Sequence, residues 1–425
     1  MGDYREMWAG LGLDLQAHDA LLNALGKGYQ DTFLSQKNRP QAMGYFDFVM
    51  SEVHGLRIKE LLDARADGRK VIGTFCVFVP EELILAADGV SIGLCAGAEF
   101  GFGEAEKLLP RNTCSLIKSF FGFKMSRVCP FLEVSDMVVG ETTCDGKKKA
   151  YETFAQIQSN LYVMEIPQMK NAPDRELLKS EYLRFKAEIE KLTGVTVDAK
   201  RLRKGIRTVN EKRRALHRLA ALRSTDPAPI SGLDALLINQ VAFYDDPVRF
   251  TASVNKVCDE LETRVKKGEG VAPRGTPRIL VSGCPMAVPN WKLPAIIESS
   301  GGVIVGEESC VGERGNRNLV DESGSTQKAL MDAIVDRYFK IDCAIFTPNP
   351  DRTEHIESMA KQYKADGVIH YSLQFCQPYT MESFAVEQKL KEHGIPCYRI
   401  ETDYSQEDIG QIKTRVATFL EMLGQ

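Results

Sequence analysis

VIGTFCVFVPEELILAADGVSIGLC, residues 71–95, carries the signals that decide the fold. Residues 71–78 form a short apolar run of strand length. Pro80 follows, with Glu81 and Glu82 just behind it. A proline early and carboxylates in the first turn open a helix. Residues 90–95 then read as a second strand. The same order of strand, cysteine, proline and helix returns in ILVSGCPMAVPNWKL, residues 279–293. The chain therefore reads as two distant repeats of one plan.

Working outward, residues 136–144 (DMVVGETTC) and 161–167 (LYVMEIP) are further strands of the first half, with a helix from about Lys147 between them. In the second half the strand-like runs are 279–285, 302–310, 343–349 (CAIFTPN), 366–376 and 395–404, and an amphipathic helix over about 405–423 closes the chain. Strands alternating with helices argue for parallel sheets of doubly wound type. Residues 1–68 are mostly helical. Residues 174–222 are charged and helical, the pattern runs on to about 265, and residues 266–278 (KKGEGVAPRGTPR) form a Gly- and Pro-rich linker. The basic stretch from Arg201 to Arg218 reads as the solvated face of this helical insertion, because acidic helices flank it. The expected architecture is α/β: two doubly wound, flavodoxin-like parallel-sheet domains. A helical segment plus the first α/β domain covers 1–170, a helical insertion and linker 171–268, and the second α/β domain 269–425.

Composition narrows the class. The 425 residues are 44% hydrophobic and 26% charged, with a net charge of -4. That is enough chain for two domains with a sizeable core, and it lacks the basic footprint of a nucleic-acid binder. No run reaches the roughly 18 apolar residues of a membrane helix. The N-terminus lacks the pattern of a secretion signal, which points to the cytoplasm.

The 11 cysteines carry the chemistry. An odd number in a large chain without a signal peptide argues against a disulfide framework. None is spaced CxxC, and no compact ferredoxin run exists, so any cluster must be built from distant loops. Ligands of open α/β sheets bind beyond the carboxyl ends of the strands. Cys76 and Cys144 in the first half, and Cys284, Cys310 and Cys376 in the second, stand near such ends. Cys114 lies in a loop-like stretch before a helix. Six thiols can thus converge on one cleft, three from each half, with helix N-termini and backbone amides suited to an iron–sulfur cluster. Cys95 also ends a strand and is a further candidate. Cys343 starts its strand, which points it to the wrong edge unless the strand is displaced. Cys129 stands before Pro130 ahead of a strand, while Cys258 and Cys397 read as packing residues. No P-loop is present. Gly101-Phe102-Gly103 lacks the third glycine of a dinucleotide fingerprint, and no HExxH occurs. His370 reads as a core imidazole, and Glu81 and Glu82 as complements of a helix dipole. No catalytic acid or base stands out.

The segments FCVFVPEELILAADG, LPRNTCSLIKSFFGF, DMVVGETTCDGKKKAYE, VSGCPM, GEESCVGER, DGVIHYSLQFCQPY and IETDYSQEDIGQIKTRVATFLEML resemble the 2-hydroxyacyl-CoA dehydratase and benzoyl-CoA reductase subunit family. Within it the similarity is to the double-cubane cluster proteins, homodimers with two linked [4Fe-4S] cubanes. The resemblance implies a double-cubane [8Fe-9S] cluster in an anaerobic, low-potential oxidoreductase of a small molecule. It places Cys76, Cys114 and Cys144 on one cubane and Cys284, Cys310 and Cys376 on the other, with Cys343 the rival in the second set. It also implies a separate homodimeric [4Fe-4S] ATPase as electron donor, which fits the missing P-loop. The alternatives are a dehydratase subunit with a single [4Fe-4S] cluster and a non-enzymatic electron carrier.

Overall fold

The computed structural model describes residues 4–424. It contains two four-stranded sheets, and every strand pair is parallel. The first has the order β2-β1-β3-β4, formed by β1 (Val71–Thr74), β2 (Val90–Gly93), β3 (Met137–Glu141) and β4 (Leu161–Met164). The second repeats that order as β6-β5-β7-β8, formed by β5 (Arg278–Gly283), β6 (Val303–Glu308), β7 (Gly367–Leu373) and β8 (Cys397–Thr402). β1 and β5 are the central strands from which each sheet winds outward in both directions. Their side chains are buried throughout, which explains why they read as continuous apolar runs rather than alternating ones.

The expected strand at 343–349 does not form. The chain turns there, with Phe346 N–H and Asn349 Nδ2 both donating to the Cys343 carbonyl. Pro348 and Pro350 remove two donors a ladder would need. The run is apolar because it is buried, with Phe346 edge-on to Phe78 of the first half. Composition alone does not separate a buried turn from a short strand.

Between the sheets in sequence come four helices with clear local causes. Asn171 and Asp174 form a capping box for Ala172–Thr193, which ends at the left-handed Gly194. Asp198 caps Ala199–Leu222 and Ser231 caps Gly232–Val241. Asp246 caps Pro247–Lys267, which ends at Gly268. These helices pack on both halves. Tyr182 Oη donates to the Phe78 carbonyl at 2.6 Å, and Arg223 forms a buried ion pair with Glu307 at 2.6 Å. Gly232–Val241 is buried along its whole length, and its Gln240 donates to the Met286 carbonyl at 2.7 Å. The basic stretch is correspondingly two-sided. Arg214 and Arg218 form partly exposed ion pairs, but Lys212 and Arg213 turn inward, to Glu81 and Glu82. Glu81 and Glu82 therefore serve as ion-pair partners as well as first-turn carboxylates.

Two features near the seam make sharp predictions. Gly283, the last residue of β5, has φ +127°, and a Cβ there would collide with the Tyr371 carbonyl oxygen. The following N–H, of Cys284, donates to that same oxygen at 3.0 Å. Gly283→Ala is expected to cost about 3 kcal/mol, read as a lower urea midpoint at unchanged slope. His370, on β7, is buried with its Nδ1 2.8 Å from Ser282 Oγ. Burial, reinforced by Arg352, lowers its pKa to about 3. The unfolded chain then takes up this proton below pH 6.5 while the folded protein refuses it down to about 3. The contribution is intact above pH 6.5 and falls by about 1.4 kcal/mol per pH unit below it. In a urea series, His370→Asn is expected to flatten the acid limb of the stability profile.

Candidate functional site: a thiol-lined chamber

The carboxyl ends of both sheets border one cavity of ≈ 110 Å3. Its walls carry Cys76, Cys95, Cys114, Cys144, Cys284, Cys310, Cys343 and Cys376. All are free thiols. The eight fall into topologically matched pairs. Cys76 and Cys284 follow the central strands β1 and β5. Cys95 and Cys310 follow β2 and β6, and Cys144 and Cys376 follow β3 and β7. Cys114 and Cys343 sit in the long connections that lead to β3 and β7. Cys114, Cys144 and Cys376 each stand at the N-cap of a helix (Ser115–Met125, Asp145–Phe154 and Gln377–Glu392). There the partial positive charge favours a thiolate, but neighbouring thiols and burial outweigh it and raise all three pKa values.

Seven of the eight sulfurs gather in two groups that cross between the halves, and Cys95 Sγ instead donates to the Phe75 carbonyl at 2.8 Å. Cys76 and Cys343 both lie close enough to Cys310 for its charge to act on them. Cys114, Cys144 and Cys284 lie close enough to Cys376 or to one another for their charges to interact. The remaining thiols stay away from the chamber. Cys129 opens the short helix Pro130–Val134 on a separate cavity, Cys258 is buried in mid-helix, and Cys397 begins β8.

The chamber's electrostatics are set by few charges. Among the described residues no histidine, aspartate or glutamate lines it, and Lys147 is its one ammonium. Lys147 Nζ pairs with buried Glu141 at 3.2 Å, and Glu141 also accepts from the Cys76 amide at 3.2 Å. Burial opposes the charge on Lys147, but Tyr151, Glu141, Cys76 and Cys95 outweigh it and hold the ammonium well above its usual range. Opposite stands Arg314, fully buried. It contacts Cys310 Sγ at 3.5 Å and pairs with Glu308 at 2.8 Å, and it also meets Tyr379 Oη. The hydrogen bond from Cys76, and then Arg314, pull Cys310 below the ordinary thiol range. Burial pushes Cys95 up to about 12 and raises Cys144 and Cys343. Most of these thiols are therefore protonated until a cation displaces the proton.

The donor set is uniformly soft, which selects iron–sulfur, zinc or copper(I) over hard cations. Among the described residues no three His, Cys, Asp or Glu side chains close on one point as a single ion requires. The thiols instead surround a volume, the arrangement a polynuclear cluster needs. Lys147 and Arg314 carry no motif of their own in the sequence. Their signal is spacing: Lys147 comes three residues after Cys144 and Arg314 four after Cys310, one helical turn behind a thiol.

Fold and site together define a class: an α/β protein of two like-wound parallel sheets whose strand ends enclose a chamber of thiols. The profile of the family described as 2-hydroxyglutaryl-CoA dehydratase, D-component, matches residues 76–423. The chain belongs to that family. It is 39% identical over 381 residues to the "Putative dehydratase subunit YjiM" of Escherichia coli (strain K12), covering 88% of this chain and 96% of the relative. It is 27% identical over 360 residues to the (R)-phenyllactyl-CoA dehydratase beta subunit of Clostridium sporogenes, covering 84% and 92%. With a benzoyl-CoA reductase subunit of Thauera aromatica it shares 23% identity over 361 residues, covering 84% and 91%. Among the described residues no helix is long and apolar enough to cross a membrane.

Proposed function

We propose that the chamber holds a double-cubane [8Fe-9S] cluster and that the protein uses it as a low-potential reductase of a small molecule. The observation that carries this reading is the convergence of eight free thiols from both halves on one cavity whose walls, among the described residues, offer no carboxylate or imidazole. Cys76, Cys310 and Cys343 supply three thiolates at one pole. Cys114, Cys144, Cys284 and Cys376 stand at the other, where three suffice, so Cys343, the rival ligand named from the sequence, takes a place beside Cys310. Such a cluster supplies single electrons at low potential. The chain's own part is to hold the sulfurs and to set the field. The Lys147 ammonium and the Arg314 guanidinium offset thiolate charge, and Phe75, Phe243 and Tyr244 help keep bulk water from the walls.

The working unit on this reading is a cytoplasmic homodimer, and a separate homodimeric [4Fe-4S] ATPase supplies its electrons. The test is anaerobic: the protein is mixed with such an ATPase, a reductant and ATP, and reduction of small unsaturated molecules is followed with EPR of the reduced state. ATP-dependent turnover by this chain without a second family subunit supports the reading. A second reading is favoured by the names of the relatives, one a dehydratase beta subunit and another named as a putative dehydratase subunit. On it the chain is one subunit of a 2-hydroxyacyl-CoA dehydratase with a single [4Fe-4S] cluster. Elimination of water from a 2-hydroxyacyl-CoA only when a companion subunit is added would establish the second and overturn the first.

A further inference from the structure

Behind the Cys76 wall of the chamber lies a second cavity of ≈ 70 Å3. Thr74, Cys76, Val77, Gly93 and Phe243 border both spaces, so the two are neighbours. The second space differs in character: its charged lining is Lys212, Arg213, Arg337 and Glu81. Lys212 pairs with Glu81, and Arg213 pairs with buried Glu82 at 2.6 Å. Arg337, itself buried, has no such partner. Its Nε donates to the Asn318 carbonyl at 3.0 Å, an Nη donates to the Gly315 carbonyl, and the guanidinium stacks over Tyr338 at 4.4 Å. Among the described residues no carboxylate forms an ion pair with it, and Glu82 reaches it only through space while engaged with Arg213. Three cations therefore face two carboxylates, an excess of one positive charge removed from water. Burial, and then Arg213, lower the Arg337 pKa to about 10, as an uncompensated charge requires.

An isolated buried cation is costly unless a counter-charge joins it. We propose that this cavity is a binding site for a small monovalent anion, such as a halide, nitrate or formate, seated between Arg337 and Lys212, while the Tyr338 hydroxyl beside them stays donated to Glu82 at 2.7 Å. The volume admits several water-sized atoms, which excludes nucleotides and CoA esters. The site stands next to the thiol chamber, and the groups that would hold the anion, Arg337 and Lys212, are not among the chamber's lining.

Bromide is the probe. The anaerobically purified full chain is titrated with sodium bromide by calorimetry, and crystals soaked in it are measured at the bromine absorption edge. An anomalous peak beside Arg337 with saturable binding is expected. Arg337→Met should weaken binding at least about tenfold, while Arg337→Lys, which keeps the charge, should stay within about threefold. Glu81→Gln removes a competing carboxylate from a partly exposed position and should tighten binding about threefold or more, a gain that misfolding cannot imitate. Absence of the peak, or Glu81→Gln binding no tighter than the parent, overturns the proposal.

Discussion

Replacing Cys76 and Cys376 together with serine is expected to leave less than about a tenth of the iron of the parent protein. The two residues stand in different sulfur groups, Cys76 against Cys310 and Cys376 between Cys114 and Cys284, so the pair removes one thiolate from each pole. Serine offers a harder oxygen whose proton is far more difficult to remove. The matched controls are Cys129→Ser, Cys258→Ser and Cys397→Ser, which lie outside the chamber and should retain the full complement. Iron retained by the double variant at the level of these controls would show that the chamber thiols are only packing.

The second large effect is on stability. Arg314→Met is expected to destabilise the protein by about 3–5 kcal/mol, the cost of breaking a buried pair from one side. Arg314 and Glu308 are both fully buried, and Arg314 also donates to the Gly283 and Glu308 carbonyls at 3.2 Å and meets Tyr379. Arg352 still pairs with Glu308 at 3.0 Å, so the carboxylate keeps one cation, but the carbonyls and Cys310 Sγ lose their donor. Arg314→Lys should recover only part of the loss, because an ammonium cannot span these acceptors as the planar guanidinium does. Urea unfolding of the three proteins reads this out, and a loss below about 1 kcal/mol for Arg314→Met would place the network at the level of a surface ion pair.

Much of the fold was legible because its cause is local. The continuous apolar runs of β1 and β5, the proline and carboxylates at Pro80–Glu82, and the return of the same order at 279–293 each follow from short-range chemistry. The run 343–349 misled because a buried turn and a buried strand share a composition, and only the prolines at 348 and 350 hinted at the difference. The misplaced strand also turned Cys343 toward the wrong edge, whereas the turn sets it in the chamber wall. Cys95 carries little signal alone, and its match to Cys310 emerges once β2 and β6 are seen to hold the same place in their sheets. The grouping of sulfurs across the halves could not be read from the chain, since it depends on how the two sheets face each other. Lys212, Arg213 and Arg337 were hidden for a similar reason. A basic helix looks solvated unless something packs on it, and here the helix Glu81–Ala86 does.

Iron and acid-labile sulfide per chain, measured on anaerobically purified protein, decide whether the chamber holds two cubanes, one or none. About eight irons and nine sulfides are expected, with the thiols unreactive toward alkylation until the metal is removed. About four irons would point to a single cubane. A folded protein with no iron, no sulfide and freely alkylated chamber cysteines would contradict the account.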